Sequence, residues 1–404
     1  MNKFIPCSKQ LVDEEDISFV ANVLRGDFLT SGPTVKKFEE ELAKKSKSNL
    51  AIACSSGTAA LHLAALVLGL KAGDKVVVPA ISFVSTANVV QLVGAQVVFC
   101  DVDPDTGLME PEHLEESILR LGKKPRAVFP VHIGGQVADM RGIHEVAVKH
   151  GMKIVEDASH AIGTSFAEAR SVSVVGDCRY SDLTAFSFHA IKNVAMGEGG
   201  AITTNDPNYA SMLRVFRSHG IVRDPALFKN IREAKNEKGE SNPWYYEMQQ
   251  LGYNYRITDI QCALGIRQLQ KLELSSTHRA MLVSEYDRLL AGNEYLVKPI
   301  KRRLGVNTCW HLYQVLLEFE KLNIDKSEII EELNVRGIGS QVHYIPINRQ
   351  PYYKDMYGEI NLPGVDEFYR KVLALPLHNS MTVNDVTFIV ETFLEILEGR
   401  SREF

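Results

Sequence analysis

Apolar and polar positions along the chain change their period several times, and the changes mark out elements. Residues 14–25 and 35–45 carry helical spacing with exposed polar faces, and Thr34 stands where a cap for the second helix is expected. After Ser55-Ser56-Gly57-Thr58, small and apolar residues run to Leu70 and predict a buried helix. An alternation then begins. Short apolar runs at Val76–Pro79, Val97–Val102, Ala127–Val131 and Ile154–Asp157 read as strands, and helix-length segments at about 82–93, 111–120 and 140–150 separate them. Ala185–Phe188 and Gly200–Thr203 read as two more strands. This β-α-β-α rhythm predicts an α/β fold with a mostly parallel sheet and helices on both faces.

The pattern changes after residue 222. Segment 223–246 is charged, ends in Trp244-Tyr245-Tyr246, and reads as a surface excursion. A long helix is expected over about 258–291. Beyond it His311–Glu318 reads as a strand, Lys326–Arg336 as a helix, and Asn384–Leu397 as a closing helix with Asn384 as its cap. The division expected is a large domain over 1–258 and a connecting helix with a smaller α+β domain over 259–404. The 404-residue length agrees, since single cores stop growing at about 250–300 residues.

Charge and cysteine usage narrow the function classes. A formal net charge of −5 argues against nucleic acid or an acidic membrane surface as a partner, because both need a basic face. Cys7, Cys54, Cys100, Cys178, Cys262 and Cys309 form no CxxC pair and have no histidine at metal-ligand spacing, so no metal site is expected. Most lie in apolar runs, as buried thiols of a reducing compartment do. No signal-peptide core and no apolar run of about 18 residues is present, so a cytoplasmic location is expected.

Four groups of residues carry candidate chemistry. Ser56-Gly57-Thr58-Ala59 opens a helix, where amides and the helix dipole favour an anion; the same residues would also serve as an ordinary cap. Glu156-Asp157 closes a strand at the carboxyl edge, where ligands of parallel sheets sit; a carboxylate there pairs with a cationic ring nitrogen, or is merely a helix cap or part of a surface loop. Lys192 follows the apolar strand Phe186-Ser187-Phe188 and precedes Gly197-Glu198-Gly199-Gly200. Burial lowers a lysine's pKa, as an imine-forming lysine requires. His189 reads as a hydrogen-bonded core residue in preference to a base or ligand. The glycines lack the GxGxxG spacing of a dinucleotide site. A phosphate cradle, a carboxylate 35 positions before a lysine and a Gly-rich turn together match the needs of pyridoxal phosphate, whose ring acts as an electron sink when its nitrogen stays protonated.

At these residues the chain resembles the DegT/DnrJ/EryC1/StrS family of sugar aminotransferases, from about residue 10 to the C-terminus. The likeness rests on SSGTAALH at 55–62, ISFVSTAN at 81–88, EDASHAIG at 156–163, FSFHAIKNVAMGEGG at 186–200, RSHGI at 217–221 and GYNYRITDIQCALG at 252–265. It implies an aspartate-aminotransferase-like fold of type I and a homodimer with shared active sites. By resemblance Lys192 holds the cofactor, Asp157 pairs with the pyridine nitrogen, and Phe83 stacks on the ring. Ser187 binds phosphate with Gly57, Thr58 and Ala59, and Asn254 reaches the phosphate of the neighbouring subunit. His160 stands where many members have a glutamine that contacts the cofactor's 3-hydroxyl. Thr30, His343 and Tyr344 are substrate-site candidates. Segment 223–246 is longer than its counterpart in many members. FSFHAIK with QVHYIPI at 341–347 is most similar to the branch that forms UDP-4-amino-4,6-dideoxy-N-acetyl-altrosamine on the way to pseudaminic acid. The implied reaction moves an amino group from glutamate to C4 of a nucleotide-linked 4-keto-6-deoxy sugar. GDP- or dTDP-linked sugars are the alternative substrates, and a sugar dehydratase is the alternative reaction. In that dehydratase branch a histidine replaces the lysine, so Lys192 favours transamination.

Overall fold

Five-residue runs rich in valine, alanine and isoleucine are apolar on both faces, and such strands belong in the interior of a layered sheet. They form a seven-stranded sheet of β1 (Leu50–Cys54), β2 (Lys75–Pro79), β3 (Gln96–Cys100), the short β4 (Ala127–Val128), β5 (Lys153–Asp157), β6 (Leu183–Ser187) and β7 (Gly200–Thr204). The strand order is β1-β7-β6-β5-β4-β2-β3. From β6 to β3 every neighbouring pair is parallel, and β7 runs antiparallel to both of its neighbours. The computed structural model describes residues 4–122, 124–168, 171–322 and 324–401, so the outer ends expected for the two domains, 1–3 and 402–404, lie outside the described residues.

Alternate side chains of each strand point to opposite faces. Val76 and Val78 therefore join one core cluster with helix Gly57–Val67, while Val77 joins the other with helix Pro33–Ser46 and the first half of helix Asp259–Leu290. A third cluster holds the C-terminal part together. Its three-stranded antiparallel sheet, Val297–Pro299, Tyr313–Leu317 and Val372–Leu375, packs on helix Val383–Ser401 and the second half of Asp259–Leu290. Ile5 packs into the same cluster. The cysteines are free among the described residues, and five of the six are buried. No helix among the described residues is long and apolar enough to cross a membrane.

Most elements sit within a few residues of their predicted bounds, and three local expectations need correction. The expected strand Ala127–Val131 pairs only over Ala127–Val128. Pro130 lacks an N–H for the ladder, and Val131 returns as a single bridge to Asp157. Thr34 does not cap its helix. The cap is Gly32, Pro33 takes the first helical position, and the carboxylate of Asp259 accepts from the N–H groups of Gly32 at 2.7 Å and Thr34 at 2.9 Å. Asn384 lies inside the closing helix. Its start is held by Thr382, whose Oγ1 accepts from the Asp385 N–H at 3.2 Å while Asp385 accepts from the Thr382 N–H at 2.7 Å. Segment 223–246 emerges as an excursion closed by the two-stranded ribbon Ile221–Val222 and Glu247–Met248. From that ribbon the Glu247 carboxylate gathers the N–H groups of Lys229 and Asn230.

Asp259 is fully buried and ties the start of one helix to the start of another. Asp259→Ala leaves two amide donors without their charged acceptor, so stability should fall by about 2–3 kcal/mol. Asp259→Asn keeps one acceptor oxygen and should lose less. The midpoints of urea unfolding for the two variants check this ordering.

Candidate active site

The carboxyl ends of β5 and β6 open onto a cavity of about 420 Å³. Ligands of parallel α/β sheets bind at this edge. Helix Gly57–Val67 points its N-terminus at the cavity, and Gly57 and Thr58 line it. Ser56 caps that helix by accepting the Ala59 N–H at 3.1 Å, so the Ala59 amide is engaged and Ala59 itself is buried behind the rim. A side chain at position 57 would place its Cβ 2.7 Å from Cβ of Ser187, so only glycine lets the helix start approach β6 this closely. Gly200 performs the matching service from β7, where a Cβ would lie 2.1 Å from the Ser56 carbonyl oxygen. The result is a concave wall of first-turn amides with the Ser187 hydroxyl beside it, the geometry that binds a phosphate.

Two neighbouring carboxylates at the end of β5 point to opposite faces. Glu156 points away from the cavity and is buried. It accepts from His132 Nε2 at 2.8 Å and Thr184 Oγ1 at 2.8 Å, with Ser181 Oγ as a third donor at 2.5 Å. Burial pushes its pKa up, but these donors outweigh burial and hold it below the usual carboxylate value. Asp157 points into the cavity. It accepts from Thr86 Oγ1 at 2.6 Å, from Ser159 Oγ at 2.6 Å and from the Ser159 N–H at 3.1 Å. All three donors are neutral, and among the described residues no cationic side chain forms an ion pair with it. A buried carboxylate held only by neutral donors, with one face on a cavity, suits a cationic partner from outside the chain.

Lys192 lies in the turn five residues beyond β6 and lines the same cavity. Burial lowers its pKa to about 8, and the charge of Asp157 opposes part of that fall. A lowered pKa alone does not mark a site. Burial also brings Lys326 to about 8, yet its Nζ donates to the Tyr369 carbonyl and sits over the Tyr369 ring, away from the cavity. What distinguishes Lys192 is its company. Three histidines surround it, and all are held neutral. Burial lowers His160 and His311 well below the ordinary value and His343 to about 4, and the charge of Lys192 adds to each shift.

The cavity brings together Gly57, Thr58, Phe83, Asp157, His160, Ser187, Lys192, His343 and Tyr344, nine of the residues singled out from the sequence. Phe83 is 55% exposed, an aromatic face available for stacking, and its ring lies 5.9 Å from that of Tyr344. Thr30 and Asn254 do not line it. Both are exposed, Thr30 bridged to Thr258 and Asn254 to Ser218. His189 is not a core residue: it is exposed at the cavity rim, 4.0 Å from Glu198, because β6 ends at Ser187 and strand alternation no longer governs it. Thr86 and Ser159 escaped sequence reasoning, although both stand inside motifs already quoted. No periodicity pairs residue 86 with residue 157.

A lysine of lowered pKa, a buried carboxylate held by neutral donors and a glycine-opened helix start on one α/β edge are the groups a pyridoxal-phosphate enzyme needs. The model of the DegT/DnrJ/EryC1/StrS aminotransferase family matches residues 10–394, and the chain belongs to that family. Its members are pyridoxal-phosphate-dependent, and it is an aminotransferase. It is 36% identical over 401 residues to the spore coat polysaccharide biosynthesis protein SpsC of Bacillus subtilis, covering 98% of each chain. It is 35% identical over 395 residues to the UDP-4-amino-4,6-dideoxy-N-acetyl-beta-L-altrosamine transaminase of Campylobacter jejuni, again covering 98% of each. Helicobacter pylori PseC, an aminotransferase involved in the biosynthesis of pseudoaminic acid, superimposes with a TM-score of 0.87 at 29% identity, covering 98% of this chain and 100% of that one.

In cofactor-free protein, an amine-reactive label followed by peptide mass mapping should modify Lys192 with a rate that rises through a midpoint near pH 8. Surface lysines should still be protonated there. Asp157→Asn removes the charge that favours the ammonium form, so the midpoint should move to lower pH. A midpoint that stayed in place or rose would show that Asp157 does not act on Lys192.

Proposed function

We propose that this enzyme transfers an amino group from glutamate to C4 of a nucleotide-linked 4-keto-6-deoxy sugar, specifically a UDP-linked N-acetylated hexose, giving a precursor of pseudaminic acid. The observation that carries the reaction is the placement of Lys192 and Asp157 on one cavity beside the Gly57–Ser187 cradle. The likeness to the Campylobacter transaminase and to PseC supports the choice of sugar. So does the position of His343 and Tyr344, from the QVHYIPI motif, on the cavity wall.

The residues fit pyridoxal phosphate. Gly57, Thr58 and Ser187 would take the phosphate, Phe83 would cover a ring face, Asp157 would hold the proton on the pyridine nitrogen, and Lys192 would carry the group covalently. Bound there, the cofactor supplies an electron sink for carbanion chemistry. The chain's own part is positioning and proton handling. Nζ of Lys192 takes the proton from the α-carbon of the amino donor, because its pKa of about 8 leaves a useful fraction deprotonated at neutral pH. The same nitrogen returns a proton in the sugar half of the reaction. The Asp157 carboxylate is fixed in place through both halves by Thr86 and Ser159. We also read the active unit as a homodimer. Asn254 is exposed and outside its own chain's cavity, and this reading assigns it to the phosphate of the neighbouring subunit.

Borohydride treatment of the purified yellow protein should bleach its visible band and leave a pyridoxyl group that maps to Lys192. Lys192→Ala should lose transamination by several orders of magnitude, since one residue supplies both the covalent hold and the proton transfer. Measured with glutamate, kcat/KM should favour UDP-linked over GDP- or dTDP-linked 4-keto sugars. The opposite preference would move the enzyme to another sugar while leaving transamination intact.

Mixing Lys192→Ala with Asn254→Ala and reassembling the subunits should restore part of the activity that each variant lacks alone. Hybrids as inactive as their parents would refute the shared site.

A further inference from the structure

The cofactor reading leaves the hydroxyl hydrogen of Tyr344 unassigned, and the hydrogen bonds of His160 decide where it points. The Gly134 N–H donates to Nδ1 of His160 at 3.3 Å. A ring nitrogen that accepts bears no hydrogen, so a neutral His160 carries its hydrogen on Nε2. His160 is buried and neutral, and its Nε2 lies 3.0 Å from the Tyr344 hydroxyl oxygen. The imidazole therefore donates and the tyrosine oxygen accepts. The phenolic hydrogen must find another acceptor, and among the described residues no other hydrogen bond reaches that hydroxyl. Tyr344 lines the cavity, and burial keeps its phenol protonated.

The titratable groups around this pair are Asp157, Lys192, His311 and His343. Asp157 has its own donors in Thr86 and Ser159. His311 and His343 are neutral, and His311 packs its ring 4.4 Å from that of His160. Bound pyridoxal phosphate would bring the missing acceptor. Its oxygen-bearing ring edge lies between the ring nitrogen and the carbon that meets Lys192, away from the phosphate arm. Asp157, Lys192, His160 and Tyr344 all line the same cavity, so the pair stands among the groups that would flank this edge.

We infer that Tyr344 donates its hydroxyl hydrogen to the ring oxygen of the bound cofactor, and that His160 is a positioning residue that occupies the other side of that hydroxyl and so aims it. The inference rests on the cofactor reading above. It also modifies one expectation from the family resemblance: both nitrogens of His160 are engaged within the protein, so its influence on the ring oxygen passes through Tyr344.

The ring oxygen becomes more basic when the neighbouring nitrogen of the lysine linkage loses its proton. A donor to that oxygen stabilises the deprotonated form more, and lowers the pH at which the visible band changes. The test is a pH titration of that band in the holoenzyme. Tyr344→Phe should raise the midpoint by about one pH unit or more, the size expected from losing a hydrogen bond to a charged oxygen. His160→Gln keeps a donor and should titrate like the wild type. His160→Leu should shift the midpoint in the same direction as Tyr344→Phe, and the double variant Tyr344→Phe/His160→Leu should shift no further than Tyr344→Phe alone. An unmoved midpoint in Tyr344→Phe overturns the inference. Additive shifts in the double variant overturn the positioning role of His160. Borohydride mapping of the wild type separates the two levels. A pyridoxyl group found elsewhere than on Lys192 overturns the cofactor reading and this inference with it, whereas a labelled Lys192 with an unmoved Tyr344→Phe titration overturns this inference alone.

Discussion

A carboxylate has to be held at the buried end of a central strand, and the rest of the site is arranged around that requirement. Asp157 ends a central strand whose neighbours are buried, where an ionised group is costly unless it is hydrogen-bonded. Thr86 and Ser159 meet most of the need from opposite sides. Neither carries charge, so the carboxylate keeps its attraction for a cation in the cavity. The same charge limits how far burial can depress Lys192. Without Asp157 the lysine would be easier to deprotonate, and without burial it would remain a solvated ammonium. The pair sets a lysine whose pKa of about 8 lies close to neutral pH.

The adjacent Glu156 shows what a structural carboxylate looks like. It is at least as buried and more fully satisfied, and one of its donors is His132, whose backbone N–H donates to the Asp157 carbonyl at 3.1 Å. Strand alternation alone separates the two roles, since consecutive side chains face opposite sides of the sheet. The histidines follow a similar logic. Beside a lysine they stay neutral, so they shape and hydrogen-bond the cavity without adding positive charge next to Asp157.

Close packing supplies the second constraint. The glycine-lined wall exists because β7, β6 and the start of helix Gly57–Val67 approach within distances that no Cβ tolerates at positions 57 and 200. Rigid elements thus carry the cradle, the aspartate and the lysine turn, while the aromatic wall of Phe83 and Tyr344 comes from loops brought in from distant parts of the chain. Anchoring the charged groups at strand ends and the turn that follows, and the adaptable groups on distant loops, separates the reaction shared by a family from the choice of substrate.

Much of this was legible in the residue order. The strand-helix rhythm, the long helix after residue 258, the lysine beyond an apolar strand and the carboxylate at a strand end are all local in sequence, because secondary structure and strand-end geometry follow from periodicity and short-range chemistry. Family motifs added the cofactor and the reaction. Tertiary structure decided what depends on partners far apart along the chain. Asp259 caps a helix that begins more than two hundred residues earlier, so Thr34 is not needed there. Thr86 completes Asp157 across 71 positions, and Tyr344 meets His160 across 184. His189 turned outward because its strand stopped one residue sooner than the apolar run suggested. Hydrogen bonds act over about 3 Å, and no spacing along the chain reveals which distant atoms folding will bring that close.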